Sequence, residues 1–92
     1  MIKVKNLNGT SDNTPPKGYT SWRSWWEAKK GRKFDTCSCS GCKSSATVGA
    51  HVQKASSTDK SWYIVPLCSS CNKKPKSEEF EVREYDLVAV NS

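Results

Sequence analysis

Aliphatic side chains are scarce in this sequence. Leu, Ile, Val and Phe together number 14 of 92 residues, about 15% of the chain, below the ~20% under which charged chains lean to disorder. Ordering the backbone costs on the order of 1–2 kcal/mol per residue, so apolar burial alone leaves so small a chain short of stability and a second source is required. Long apolar runs are missing too. The longest near-apolar stretch, WYIVPLC at 62–68, contains Pro66 and falls far short of the ~20 residues that span a bilayer. The opening MIKVKNLNG lacks the apolar segment of a secretory signal. We therefore expect a soluble, cytoplasmic protein with no membrane partner, in a single domain covering 1–92.

What the chain does have is cysteine. Five are present, an odd count that cannot pair fully within one molecule. They stand in two clusters, Cys37-Ser-Cys39-Ser-Gly-Cys42 and Cys68-Ser-Ser-Cys71. Zinc takes four soft or borderline ligands at tetrahedral corners, and C-x2–4-C pairs supply two of them from one tight turn. Cys68 and Cys71 form one such pair. In the first cluster Cys39 and Cys42 give the x2 spacing and Cys37 and Cys42 give x4, so spacing leaves that choice open. A site of three cysteines and His51, the only histidine, is a further arrangement. One structural zinc contributes an apparent ~10–16 kcal/mol to small domains, which removes the shortfall, and a closed four-cysteine site has no open position for catalysis. Two disulfides and a free thiol are the alternative, suited to an oxidising compartment.

Charge is unevenly spread. The formal net charge is +6, yet residues 1–77 carry 14 bases and four acids, whereas 78–92 hold five acids and one arginine. Four thiolates and one divalent ion would subtract two charges and leave a basic surplus, which favours polyanions as partners or else forms a solvated surface.

Ile2 and Val4 alternate with Lys3 and Lys5, which predicts a short strand; with the Asn-Gly and Pro-Pro breakers that follow, 1–19 reads as strand and loop. Thr20 or Ser21 can cap a helix over 20–31, with Gly31 as its stop and Lys29 and Lys30 at its dipole-favoured end. Trp22, Trp25 and Trp26 share one face of that helix, either as a base-stacking platform flanked by Arg23, Lys29, Lys30, Arg32 and Lys33 or as the core the chain otherwise lacks; we expect core. Residues 47–52 and 61–67 read as strands around a polar hairpin loop, 54–60, and 77–92 as an acidic extended tail with short strands at Phe80–Val82 and Leu87–Val90.

The succession of a cysteine turn, Gly49-Ala50-His51-Val52, a hairpin loop, Ile64-Val65-Pro66-Leu67-Cys68 and Cys71-Asn72 resembles the zinc-stabilised branch of the HNH endonuclease superfamily, a ββα-metal fold of treble-clef type. The resemblance covers roughly 36–76. It implies an α+β fold with a small zinc-stabilised treble-clef core, an N-terminal Trp-rich helix and short flanking strands. It also implies C-x4-C for the first pair, hence Cys37, Cys42, Cys68 and Cys71 as ligands and Cys39 as the spare thiol. His51 falls at the general-base position and Asn72 at the last metal-binding position. Ala50 replaces the preceding metal ligand and Tyr63 the asparagine that orients the histidine. Hydrolysis of a phosphodiester needs both an activated nucleophile and a metal on the phosphoryl oxygens. We accordingly expect a non-catalytic zinc module that contacts DNA or RNA through Arg32, Lys33 and Lys43 beside the first turn and Lys73, Lys74 and Lys76 after the second. A metal-dependent nuclease using His51 and Asn72 is the alternative. A third reading is a protein-interaction adaptor that presents the acidic 78–86 segment or exposed tryptophans to a protein partner.

Overall fold

Strand alternation in an aliphatic-poor chain sorts the few apolar side chains to one face of a sheet. In β1 (Ile2–Asn6), Val4 and Asn6 are buried while Lys3 is exposed. The computed structural model describes residues 1–7, 17–55, 58–59, 61–75 and 77–90. Along these, β1 is followed by α1 (Trp22–Lys30), β2 (Val48–Lys54), β3 (Tyr63–Leu67), a short α2 (Ser69–Asn72), β4 (Glu79–Val82), a 3-10 turn (Glu84–Asp86) and β5 (Val88–Ala89). The strands form one antiparallel sheet in the order β4-β1-β2-β3-β5. The expected loop at 8–16 and residues 56, 57 and 60 of the hairpin loop lie outside the described residues.

The sheet's inner face gathers Val4, Ala50, Val52, Val65, Leu67, Phe80 and Val82 with Cys37, Cys68 and Cys71. The first cysteine loop bridges its two sides. The Ser38 N–H donates to the Pro66 carbonyl of β3 at 2.8 Å, while the Ser40 N–H donates to the Glu81 carbonyl of β4 at 2.8 Å. Arg83 N–H returns a bond to the Ser38 carbonyl at 3.3 Å, and Cys39 bridges Val82. The loop therefore satisfies backbone groups of both β3 and β4 that would otherwise be open edges.

On the outer face lies α1. Ser21 caps it, its hydroxyl accepting the Ser24 N–H at 3.0 Å while Ser24 Oγ accepts the Ser21 N–H at 3.2 Å. Gly31 ends it in the left-handed conformation, φ 71°, and donates to the Glu27 carbonyl at 2.9 Å, a position where a Cβ would be strained. Trp25 and Trp26 pack on Ile64 with Phe34 and Val88, so the tryptophans supply a second core. Trp22 sits over Gly49, where a Cβ would lie 2.9 Å from the Trp22 Cβ and 3.0 Å from its backbone; only glycine permits this approach of helix to strand.

The C-terminal segment contributes two short strands to the sheet, β4 and β5. Pairing of β4 with β1 sets Glu79 and Glu81 opposite Lys5 and Lys3, and β5 pairs with β3 at Tyr63 and Ile64. Between them Asp86 is 1% exposed. Its carboxylate accepts from Arg32, from Arg83 Nε at 2.8 Å and from the Ser38 hydroxyl at 2.9 Å, and its carbonyl accepts the Trp26 indole N–H at 2.8 Å. One acidic residue thus ties α1, the first cysteine loop and β4 together. Asp86→Ala should lower stability by about 3 kcal/mol, the low end of the range for breaking a buried ion pair, because both arginines it leaves can still reach water. Urea denaturation checks this; a loss below ~0.5 kcal/mol, the range of inconsequential surface changes, would contradict the role.

Candidate metal centre

Two tight turns position the thiols. In the first, the Cys42 N–H donates to the Cys39 carbonyl at 3.1 Å and the Cys37 N–H to the Ser44 carbonyl at 2.8 Å, with Gly41 in the positive-φ region, φ 78°, at the apex. In the second, Cys68 is the N-cap of α2 and Cys71 lies within its single turn. The Cys37, Cys42, Cys68 and Cys71 sulfurs all lie within 4.8 Å of one another. Cys42 Sγ and Cys68 Sγ are 3.7 Å apart, close to the about 3.8 Å edge of a tetrahedron with metal–sulfur bonds of about 2.3 Å. These four thiols could hold a metal ion. They are the set with x4 spacing in the first pair. Cys39 is partly buried beside this group and touches Cys71.

The surroundings suit thiolates held by a cation. Backbone N–H groups of Cys68 and Cys39 point at the Cys37 sulfur. The Ser44 N–H, first among several donors, brings the Cys42 thiol down to about 7. Burial pushes Cys37 and Cys71 up, and neighbouring sulfurs push Cys71 further. Clustered thiolates repel one another and lose hydration, which a bound divalent ion offsets.

Asn6 supports the second turn from β1. Its Nδ2 donates to the carbonyls of Lys74 at 3.0 Å, Cys71 at 3.2 Å and Asn72 at 3.3 Å, satisfying the C-terminal end of α2. The sequence signal was a polar residue at the inward position of an alternating strand, Ile2, Val4, Asn6. The turn after Cys71 is short, as Pro75 requires: α2 ends at Asn72.

The other expected site residues scatter. Ala50 and Val52 face the cysteine side, so His51 between them points to the outer face, away from Asn72. There its ring meets Trp22 at 4.9 Å and Trp62 at 6.0 Å between centroids, both nearly perpendicular. Its Nε2 is buried with no hydrogen-bond partner among the described residues. The Tyr63 hydroxyl donates to Asp59, whose carboxyl is held at about 2 chiefly by that bond, with Lys54 Nζ 3.8 Å away. Arg32 is engaged by Asp86 and stacks 4.8 Å over Trp26. Lys33 is exposed, 3.8 Å from Glu27, and Lys74 pairs with Glu78 at 3.2 Å. Lys43 and Lys73 are exposed beside the two cysteine turns, and Lys76 lies outside the described residues. No described helix is long and apolar enough to cross a membrane.

Compared with known proteins, the chain matches no family model, no curated protein and no solved structure.

Two outcomes are expected. Cobalt(II) titration should give stoichiometric thiolate charge-transfer absorption for wild type and Cys39→Ser, and markedly weaker binding for Cys37→Ser; equal binding by both variants would put Cys39 among the ligands. Burial holds the His51 pKa below the usual imidazole value, so below about pH 6.5 the unfolded chain takes up the proton more readily than the folded one. Stability is then lost as pH falls through this window. His51→Gln should remove part of that loss in denaturation curves taken between pH 7 and 5, values bracketing the usual imidazole range; curves parallel to wild type would refute the contribution.

Proposed function

We propose that this chain is a structural-zinc module that binds nucleic acid. The carrying observation is the group of four cysteine sulfurs within 4.8 Å of one another. Among borderline and soft divalent ions, a tetrahedral four-sulfur set suits zinc, and four protein ligands leave no open position for substrate. The ion's part is to join the first cysteine loop to α2. The order of cysteine turn, β2–β3 hairpin and ligand-bearing helical turn supports a treble-clef reading of this portion.

Lys43 follows Cys42 directly and Lys73 lies two residues after Cys71, and both side chains are exposed. Each turn therefore carries a cation on a backbone made rigid by the metal, an arrangement suited to phosphate contact, where charge and position matter more than base identity. Lys74 adds to this side through a side chain shared with Glu78. The geometry favours binding over hydrolysis, because the His51 Nε2 is covered by protein and a general base must reach the proton it abstracts.

Metal-loaded protein should bind mixed-sequence DNA or RNA in fluorescence anisotropy with affinity that falls steeply as salt rises. Lys43→Glu and Lys73→Glu should each weaken binding across all sequences and lower the salt slope by about one. Absence of binding to either polymer at ~50 mM salt, where such contacts are strong, would end this reading.

A further inference from the structure

On the outer face α1 covers only part of the sheet. Trp25 and Trp26 are buried over Ile64, but beside the helix the outward positions of β1 and β2 continue without it. Lys5 is the register partner of Gln53, and the Leu7 N–H donates to the His51 carbonyl at 3.0 Å. Trp62 precedes Tyr63, the partner of Val52, which brings it beside Gln53. Trp22 and Trp62 flank His51, standing at 85° and 90° to its ring. Trp62 is 38% exposed and Trp22 half-buried.

Two independent features mark this strip as a binding surface. The first is the His51 Nε2, on a residue 9% exposed and without a hydrogen-bond partner among the described residues. A buried polar atom left unpaired is costly, and the ring that carries it packs edge-on against Trp22 and Trp62, of which Trp62 is substantially in water. The second is charge placement. Lys3 and Lys5 extend the strip along β1, and on α1 Lys29 Nζ sits 5.9 Å over Trp25. Glu81 and Glu79 face Lys3 and Lys5 from β4, so the lysines separate the acids from the aromatic rings. An exposed indole, Trp62, with half-buried Trp22 beside it and the β1 lysines on the same face, matches what a single strand offers: unpaired bases with open π-faces and phosphates alongside. A duplex offers no such faces, since its bases are stacked on one another.

We infer that this outer strip binds single-stranded nucleic acid, with bases stacking on Trp62 and Trp22 and phosphates following Lys5 and Lys3. The inference rests on the nucleic-acid reading above and adds a second face, opposite the metal centre, with a preference for single strands.

The test is anisotropy titration of the full-length, metal-loaded chain with a labelled oligothymidylate and with a duplex of equal length, alongside tryptophan emission. The single strand should bind more tightly than the duplex and quench emission. Trp62→Ala should weaken single-strand binding roughly tenfold, the scale of one lost base stack, and leave duplex binding unchanged. Trp62→Phe should recover most of the loss. Because Trp62 is partly exposed, a matched denaturation midpoint confirms that the variants fold. If Trp62→Ala leaves both affinities intact while Lys43→Glu lowers them, the strip is overturned and the metal-side reading stands. If neither polymer binds, both fall. Oligothymidylate that binds without moving tryptophan emission would also overturn the strip and leave its rings to a protein partner.

Discussion

The convergence of four cysteine sulfurs on one point is the constraint on which the architecture depends. Two come from a loop and two from a single helical turn, and neither element could hold its place by apolar burial in a chain with so few aliphatics. Once joined, the loop hydrogen-bonds β3 on one side and β4 on the other, so the sulfur cluster also closes the sheet. An apparent ~10–16 kcal/mol for a structural zinc site exceeds what several buried side chains of this size contribute. A metal at this point would be worth more to the fold than any one hydrophobic contact.

The sheet separates two tasks. Its inner face holds the sulfurs and most of the buried aliphatic residues; its outer face holds the tryptophans, Ile64 and His51. A one-residue shift of β2 would exchange these faces, and Gly49 resists such a shift because Trp22 rests where any other side chain would stand. The charge asymmetry along the chain is likewise redistributed in space. Acids crowded near the C-terminus meet lysines of β1, Arg32 after α1 and Arg83 after β4, so the described cations left beside the cysteine turns are fewer than the net charge suggests.

Much of this was legible because the signals are short-range. Ser21 and Gly31 bound α1 through contacts three or four residues away. Alternating side chains marked β1 and β4, and Pro75 limited α2. Spacing alone left Cys37 and Cys39 open, and among the described residues it is Cys37 whose sulfur groups with those of Cys42, Cys68 and Cys71. The two residues have the same parity in the chain, and their surroundings differ: Cys39 pairs through its backbone with Val82, whereas Cys37 receives N–H groups from both turns.

By itself, then, the sequence determined which stretches form helix or strand, to within two residues at most ends, and that thiols would cluster, since caps, turns and ligand pairs act over a few residues. Tertiary structure alone decided that His51 turns away from the metal side, that Asn6 caps α2 from 65 residues away, and that Asp86 becomes a buried anion shared by Arg32, Arg83 and Ser38. Each of those depends on partners brought together by strand register and helix docking, and no local pattern encodes which distant residue will arrive opposite a given side chain.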